Sequence, residues 1–467
     1  MNTRTVTSVG ERAIGAIGSG FAPELGERYS QLKAEILKPE HYEALEESWK
    51  RLLTELDSEI EAIAAEGSNF IPQVEFNAIE SNSNTIPDEY KKLLKERGCL
   101  IIRGVYSQEQ ALNWKKDFVD YLKSHPGLTG HPKGSPSNWF VHWSRTQVEA
   151  RSHPRTIQLM KAVGKVYEND DPDALVDMSS QVVYPDRLRV RQPGKQVTLN
   201  LHVDSSSIER WEDPSYREVY KEIFEGEWEK WDPYQIAKRP AGVQDLYNGA
   251  TNNGSTCSVF RAFQGWVALS HSKCGEGTIR FLPNMRTAIP YLLLRPFFWK
   301  DDGKLEFQSS KFPGATPGSG QLLAHDPGLF PHLKHDKSVV GIPYVNPGDF
   351  VLWHADLLHE VDRNHAGNMD SSVCFIAHTP LCPYNINTLK DSNRSFLDGS
   401  KPADFVYELQ YGPCESSFED RGQSKDVLSV DGKRALGLEK FDVDEPGLTA
   451  GQKKIRELAN EALFSKE

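Results

Sequence analysis

The chain of 467 residues carries a formal net charge of -12, and 38% of its residues are hydrophobic and 10% aromatic. This composition provides a sizeable core for one large domain with additions or for two ordinary domains. Because no long Lys/Arg run occurs, the composition argues against nucleic acid or an anionic membrane as the main partner. No stretch approaches the ~20 apolar residues that a membrane helix requires.

The N-terminus and the cysteines bear on the compartment. The first residues lack the apolar core of a secretory signal, which favours a cytoplasmic protein, while their Ser/Thr content leaves an organelle as the alternative. The six cysteines form no CxxC pair, and several lie in apolar runs. We therefore expect reduced, buried thiols rather than a thiolate zinc site. The sequence carries no indication of the oligomeric state.

The first part of the chain is predicted to be mainly helical. Apolar residues follow helical spacing from Leu45 to Ile63 and Gly67 is a natural stop, so we expect a helix over residues 39–67. A second helix is predicted over residues 87–97, followed by a short buried strand at residues 99–102. Ser107 then opens a capping-box pattern for a helix that runs to about residue 124.

From about residue 179 the pattern changes to short strands separated by Gly/Pro-rich loops. The acidic and aromatic residues 205–240 interrupt it as a helical insertion, and a last helix is predicted from about Thr449. This pattern favours an all-β barrel or jelly roll with helical additions. The predicted strands cover residues 182–184, 188–191, 197–202, 257–269, 277–282, 291–296, 350–354 and 373–377.

This organisation divides the chain into three parts. Residues 1–84 are predicted to form an N-terminal tail and helix. Residues 85–400 form the jelly-roll core with its insertion at about 205–240. Residues 401–467 form a C-terminal extension whose helix packs on the core. The predicted fold class is mainly β with α additions.

The most informative segment pairs a histidine with an aspartate on one predicted strand. Alternate side chains of a strand share a face, so His202 and Asp204 point the same way and can bind one ion. A third ligand must come from a distant strand, and residues 348–354 lead to His359. His354 is the alternative ligand, but His359 lies where the strand should end. Two imidazoles and one carboxylate are typical of non-haem Fe(II) oxygenases.

Together with other stretches, these residues resemble the double-stranded β-helix oxygenases, which include phytanoyl-CoA hydroxylase, and more closely the YbiU-like family. The resemblance implies a double-stranded β-helix (jelly-roll, cupin-like) core flanked by helices, Fe(II) held by the three ligands, and 2-oxoglutarate and O2 as cosubstrates. The matching stretches are residues 184–187, 202–205, 209–211, 257–266, 293–296, 348–359 and 432–437.

One departure from the wider superfamily concerns the cosubstrate. Many relatives carry an Arg about eleven residues after the distal His, which pairs with the far carboxylate of 2-oxoglutarate, whereas residues 368–372 contain no Arg. A buried carboxylate needs a cation, and the fork of an Arg can bind both oxygens. For any such Arg, the alternative is a structural ion pair. The predicted substitutes are Arg261 first and then Arg189 or Arg191, with Arg187 and Arg280 as further options and with hydroxyl donors from Ser371 and Ser372.

The predicted function is therefore a dioxygenase that hydroxylates a C–H bond of a small-molecule substrate and releases succinate and CO2. Desaturation and ring closure are alternative outcomes, whereas Asp204 argues against halogenation because its carboxylate fills the position that a chloride would need. Rival functions are a non-catalytic jelly-roll binding protein and a Zn or Mn isomerase or hydrolase. The aromatic insertion predicts either a lid over the substrate or a helical pair packed on the barrel.

A second group of histidines, at His325, His332 and His335, lies in a predicted loop beside two lysines. We expect this group to be exposed to solvent rather than to form an accessory metal site.

Overall fold

A computed structural model describes residues 25–197, 199–204, 207–240, 259–315, 321–323 and 328–465. Within these residues, helices outweigh strands. The α-helices are α1 (Arg28–Ile36), α2 (Tyr42–Glu66), α3 (Phe76–Ser81), α4 (Asp88–Arg97), α5 (Gln108–Ser124), α6 (Arg145–Ser152), α7 (Pro154–Gly164), α8 (Glu209–Glu212), α9 (Pro214–Glu218), α10 (Lys221–Phe224), α11 (Met285–Leu294), α12 (His335–Ser338), α13 (Pro383–Asp398), α14 (Val430–Ala435) and α15 (Ala450–Phe464).

The strands are short, and most of them are paired antiparallel. In chain order they are β1 (Gln73–Glu75), β2 (Cys99–Arg103), β3 (Gly130–His131), β4 (Asn138–Trp139), β5 (Asp177–Gln181), β6 (Leu188–Arg191), β7 (His202–Val203), β8 (Phe263–Ala268), β9 (Ile279–Phe281), β10 (Gln321–Leu322), β11 (Val340–Gly341), β12 (Phe350–His354), β13 (His359–Val361), β14 (Ser371–Phe375) and β15 (Pro380–Leu381).

Two large sheets organise these strands. The eight-stranded sheet has the order β1-β2-β12-β8-β14-β6-β4-β3, and the five-stranded sheet has the order β10-β7-β13-β9-β11. In the eight-stranded sheet β1 and β2 run parallel, whereas the pairings from β2 to β3 are antiparallel. The pair β15-β5 forms a separate small sheet.

Both faces of the eight-stranded sheet are buried along β12. Phe350 and Leu352 belong to a core cluster that also contains Trp114 of α5, whereas Trp353 belongs to the cluster on the opposite face. The Trp353 ring lies 5.7 Å from the ring of Phe281 on β9, measured between centroids. The five-stranded sheet therefore packs against this second face, and burial on both faces explains the uninterrupted apolar run of β12.

Helix α2 belongs to the main core. Its apolar positions recur every three or four residues and are buried, and Trp49 stacks on Tyr291 of α11 with the ring centroids 5.4 Å apart. Gly67 follows the helix with a φ of 56°, a backbone angle that glycine adopts without strain. The predicted N-terminal helix is confirmed, with its α-helical part beginning at Tyr42.

The described part of the insertion, residues 207–240, forms α8, α9 and α10, and its aromatic side chains are buried. The indole N–H of Trp211 donates to the carbonyl oxygen of Leu293 on α11 at 3.0 Å, and that of Trp228 donates to Ser48 on α2 at 3.3 Å. Through these contacts the insertion packs on helices α2 and α11, as expected if it is a helical addition packed on the core.

The C-terminal helix α15 packs on β5. Arg456 donates to Asp177 at 2.7 Å, and both side chains are almost fully buried. The predicted start is confirmed, because Thr449 and Gln452 form a reciprocal capping box.

Four predictions differ from the structure. The fold is mixed, with more helix than the mainly β class implied. Residues 291–296 lie in α11 and the turn after it instead of in a strand, because an apolar run that is buried on every side has no periodicity to separate the two. Residues 182–184 follow β5 as irregular chain. Among the described residues of the strand predicted over 197–202, His202 alone lies in a strand, at the start of β7, and residue 198 lies outside the described residues. Residues 257 and 258 of another predicted strand lie outside the described residues.

Candidate metal centre

Two histidines from strands far apart in sequence form a direct cross-strand pair. In the antiparallel pairing of β7 with β13, His202 lies opposite His359. Opposed residues in an antiparallel pair extend their side chains from the same face, so the two imidazoles lie side by side. Their ring centroids are 4.2 Å apart and their planes are inclined by 50°.

Each imidazole is oriented by its own backbone. Nδ1 of His202 lies 2.8 Å from the carbonyl oxygen of Asn200, and Nδ1 of His359 lies 2.9 Å from that of Leu357. A carbonyl oxygen only accepts, so both Nδ1 atoms carry the proton and donate it. In the neutral imidazole each Nε2 is then left with a lone pair, which is the form in which a histidine binds a metal.

Asp204 lies between the two Nε2 atoms. Its Oδ1 is 3.4 Å from His202 Nε2 and its Oδ2 is 3.4 Å from His359 Nε2. One candidate ligand atom from each residue lies within 4.8 Å of the others. Ligands at the usual distances of about 2.0–2.2 Å from one ion stand roughly 3 Å apart when adjacent, so these three side chains fit a single metal ion.

The site is open on the carboxylate side. The side chains of His202 and His359 are 7% and 5% exposed, whereas that of Asp204 is 34% exposed. Burial lowers the pKa of His359, and the neighbouring His202 lowers it further. Burial lowers the pKa of His202, but the carboxylate of Asp204 raises that pKa by more, so the net shift is upward. Burial raises the pKa of Asp204, but the two imidazoles lower it by more and hold it well below its usual value. The carboxylate therefore stays ionised, as a metal ligand must.

A buried ion-pair network ties the two ligand-bearing segments together. Arg210 of α8 donates from Nη2 to the backbone oxygen of Asp204 at 3.0 Å and from Nη1 to Asp356 at 3.1 Å. Asp356 lies in the turn between β12 and β13, three residues before His359. The same carboxylate accepts from Arg239 at 2.6 Å. The sequence pattern missed this role of Asp356 and Arg210, although Asp356 forms a second His-x-Asp tripeptide with His354.

His354, the alternative ligand, lies away from the cluster. Its ring packs among Tyr167, Tyr234 and Phe263, which belong to the core on the helix-covered face. Its Nδ1 accepts from the backbone N–H of Asp356 at 3.1 Å. The structure therefore brings together His202, Asp204 and His359 and leaves His354 in the supporting network.

Arg189 and Arg191 share one face of β6 but differ in their surroundings. Arg191 donates to four backbone carbonyl oxygens, those of Gly277, Asp362, Lys195 and Arg363, at 2.7–3.2 Å. Its guanidinium is thus engaged in holding loops together.

Arg189 is 6% exposed and donates from Nη2 to Ser371 Oγ at 3.3 Å. Its Nε has no hydrogen-bond partner within the described residues. Burial, and then the charge of Arg191, lower its pKa to about 10. Ser372 points away from this pair, since its Oγ donates to Asp370 at 3.0 Å.

The other predicted arginines lie elsewhere. The guanidinium of Arg261 lies 5.7 Å from the ring centroid of Tyr184, and that of Arg187 lies 5.2 Å from the ring of Phe405. Arg280 forms an ion pair with the buried Glu360 at 2.6 Å.

The described histidines of the second group, His332 and His335, contact different neighbours. His335 contacts Glu360 at 2.8 Å, and Nδ1 of His332 lies 3.2 Å from the hydroxyl oxygen of Tyr291. Both histidines are therefore engaged with neighbouring side chains, and His325 lies outside the described residues.

The fold and the site together define a mixed helix-and-sheet protein with a two-histidine, one-carboxylate cluster on paired strands. The profile of the Gig2-like family matches residues 23–438, and the chain belongs to that family. The predicted resemblance to the YbiU-like family is confirmed. The YbiU protein of Escherichia coli (strain K12) is 30% identical over 396 residues, which cover 82% of this chain and 89% of that protein.

Two solved structures extend the comparison. The structure of GlcNAc Inducible Gene 2, GIG2, from Candida albicans has a TM-score of 0.86 and 40% identity, and the match covers 95% of this chain and 96% of that one. A candidate oxidoreductase from Salmonella typhimurium LT2 has a TM-score of 0.72 and 27% identity, and the match covers 88% of this chain and 96% of that one.

Among the described residues, no helix combines the length and apolar character needed to cross a membrane.

Proposed function

We propose that this protein is a non-haem, Fe(II)- and 2-oxoglutarate-dependent dioxygenase that hydroxylates a C–H bond of a small molecule. The substrate carbon would gain one oxygen atom of O2, and 2-oxoglutarate would take up the other as it becomes succinate and CO2. The observation that carries the proposal is the convergence of two imidazole Nε2 atoms and one carboxylate at a single point, with each Nδ1 held by a backbone carbonyl oxygen.

The sheet topology supports an oxygenase fold. The chain-ordered strands β6, β7, β8 and β9 alternate between the eight-stranded and the five-stranded sheet, and β11, β12, β13 and β14 alternate again. We interpret these eight strands as a double-stranded β-helix, because this exchange between two facing sheets is the connectivity of a jelly roll. In this interpretation the remaining strands and the helices are additions to the core.

His202, Asp204 and His359 would hold the iron. Two imidazoles and one carboxylate leave coordination positions open, and this ligand set is typical of Fe(II) oxygenases. When bound, Fe(II) would supply the activation of O2 coupled to decarboxylation of the cosubstrate. The protein's own part is to orient the ligands through the carbonyl oxygens of Asn200 and Leu357 and to exclude water from the imidazole side.

Arg189 would bind the far carboxylate of 2-oxoglutarate, with Ser371 as a second donor. A buried guanidinium with one neutral hydrogen-bond partner is in an unfavourable environment, and a bidentate carboxylate would relieve it. Arg191 already serves four carbonyl oxygens, and Arg261 lies beside Tyr184, so Arg189 replaces Arg261 as the preferred residue.

The test uses the full-length protein under anaerobic conditions. Fe(II) and 2-oxoglutarate added together should produce the visible charge-transfer band of the chelated cosubstrate, and admission of O2 should release succinate. The His359→Ala variant should lose both signals. His271→Ala is the matched control, since His271 is partly exposed and hydrogen-bonds to Tyr344 instead of the cluster.

Three results would contradict the proposal. Undiminished succinate release by His359→Ala would exclude the site. Turnover of a substrate with Zn or Mn in the absence of O2 would favour an isomerase or hydrolase. Tight ligand binding without any cosubstrate consumption would favour a binding protein.

A further inference from the structure

Two buried hydrogen-bond donors lie beside the cluster and have no acceptor among the residues that the structure describes. They are Nε2 of Gln264 and Nε1 of Trp353. The residues are 5% and 4% exposed, so water reaches neither side chain freely. Neither donor takes part in the metal cluster or in the Arg189–Ser371 pair.

The strand register places the two donors together. In the pairing of β12 with β8, Trp353 lies directly opposite Gln264. Side chains of opposed residues in an antiparallel pair stand about 5 Å apart at Cβ on one face of the sheet. Gln264 alternates with Phe263 and Gly265 and therefore shares its face with Trp266 and Trp353, which belong to the core cluster that reaches the five-stranded sheet.

This face turns towards the metal cluster. The Trp353 ring lies 5.3 Å from the ring of His359 between centroids. An oxygen atom bound to the indole N–H would therefore belong to a molecule close to the reacting position. A carboxamide and an indole N–H in this place can each donate a hydrogen bond to a ligand, which a purely apolar contact surface cannot do.

Unsatisfied buried donors are rare because each one loses its hydrogen bonds to water without replacement. Two of them side by side next to a candidate active site point to a ligand acceptor that completes them. We propose that Gln264 and Trp353 bind a carbonyl or carboxylate oxygen of the primary substrate, so that the substrate is a small molecule with such a group near the C–H bond that is oxidised. This inference rests on the proposed dioxygenase function.

The primary substrate is the better source of this oxygen than the cosubstrate. Under the proposed function, the 2-oxo acid end of 2-oxoglutarate chelates the metal and its far carboxylate faces Arg189 and Ser371. The acceptor groups of the cosubstrate are then already assigned, whereas the donors on β8 and β12 remain to be matched.

The test follows the indole N–H signal of Trp353 by NMR in the full-length, ¹⁵N-labelled protein. Zn(II) replaces Fe(II), 2-oxoglutarate is saturating, and the signal is identified by its loss in Trp353→Phe. The probes are acetamide, acetate and ethylammonium. We expect acetamide or acetate to shift the signal saturably, and we expect ethylammonium, which has no acceptor, to leave it unchanged.

Variants at two buried glutamines sharpen the test. Gln264→Met should weaken binding of the shifting probe about tenfold, the effect of one hydrogen bond. It should leave the melting temperature of the probe-free protein unchanged or higher, because an unsatisfied group is removed. Gln181→Met is the control, since the Gln181 amide donates to Ala377 and Thr379. That variant should melt lower and bind the probe normally.

Two results would overturn the inference. If 2-oxoglutarate alone shifts the Trp353 signal and Gln264→Met weakens its binding, the donors serve the cosubstrate. If no probe shifts the signal, or Gln264→Met melts lower as Gln181→Met does, the donors are satisfied within the folded protein. Failure of the dioxygenase proposal itself would appear separately, as the absence of metal-dependent 2-oxoglutarate binding in calorimetry of the same samples.

Discussion

Buried arginines occur in two regions of the molecule, and their surroundings differ. Arg210 and Arg239 meet the carboxylate of Asp356, which also accepts from the hydroxyl of Tyr220 at 3.1 Å. Arg189, on β6 of the eight-stranded sheet, has only the hydroxyl of Ser371 as a partner among the described residues. The three arginines are equally buried, at 2%, 6% and 6% exposure.

This difference distinguishes buried charges that stabilise the fold from buried charges that can bind a ligand. A buried ion is tolerated when partners compensate its lost hydration, and the Asp356 network provides such partners within the chain. Arg189 lacks them, so the folded protein carries a charge that a bound anion would stabilise. We therefore expect substitutions in the first region to affect stability and substitutions in the second to affect cosubstrate binding.

The largest expected effect tests the first half of this comparison. Asp356→Asn keeps the shape of the side chain but leaves Arg210 and Arg239 buried without their counter-charge. Loss of one partner of a buried ion pair destabilises a protein by about 3–5 kcal/mol. Urea unfolding followed by tryptophan fluorescence should show this loss in the free energy of unfolding.

A solvent-exposed ion pair supplies the control for Asp356→Asn. Glu218 pairs with Lys238 at 2.6 Å, and both side chains are about half exposed. Glu218→Gln should be indistinguishable from the unmodified protein, because exposed pairs contribute little to stability. A stability loss for Asp356→Asn no larger than that of Glu218→Gln would mean that the buried network is not structural.

The second prediction compares two arginines on one face of β6. Arg189→Met should weaken 2-oxoglutarate binding by about 30- to 100-fold, equivalent to about 2–3 kcal/mol, because a charge-assisted bidentate contact is lost. The free energy of unfolding should stay the same or rise, since a poorly partnered buried charge is removed. Anaerobic calorimetry with 2-oxoglutarate and urea unfolding measure the two quantities.

Arg191→Met should give the reverse pattern. Its guanidinium satisfies four carbonyl oxygens, so the substitution should lower the free energy of unfolding more than Arg189→Met does. If Arg189→Met binds the cosubstrate normally while retaining its fold, the anchor must be sought elsewhere, with Arg261 as the next candidate.

The placement of His202 and Asp204 on one face could be foreseen because it depends on a local rule, whereas His359 was proposed as their partner from its position after a predicted strand and from the family resemblance. Alternation along a strand puts His202 and Asp204 on one face, and the Gly-Asp turn before β12 fixes where His359 follows. The helices α2, α4 and α5 could also be predicted from the sequence, because the features that define them are local. These features are the apolar spacing, the stop of α2 at Gly67 and the cap of α5 at Ser107.

The partners of the arginines could not be foreseen, since they depend on pairings between distant strands. Nothing near Arg189 in the sequence separates it from Arg191, and only the register of β6 with β14 and the path of the loops assign four carbonyl oxygens to one and a serine to the other. The strand predicted at residues 291–296 failed for a related reason, because α11 is surrounded by core on all sides.

The last prediction concerns the pH dependence of the network around Asp356. Burial, and then the charge of Arg239, lower the pKa of His354 to about 3 from an unfolded value of about 6.5. The folded state therefore requires the neutral imidazole. Its contribution to stability is complete above pH 6.5 and declines as the pH falls towards 3, by about 1.4 kcal/mol per pH unit.

His354→Gln removes this titration while retaining a polar side chain. The difference in unfolding free energy between the unmodified protein and His354→Gln should therefore shrink with that slope between about pH 6 and pH 4, and it should be constant from about pH 7 to 8. Urea unfolding at these pH values measures the difference, in which the titration of distant carboxylates cancels. Parallel stability curves for the two proteins would show that His354 titrates normally, and the network around Asp356 would then be open to water instead of enclosed.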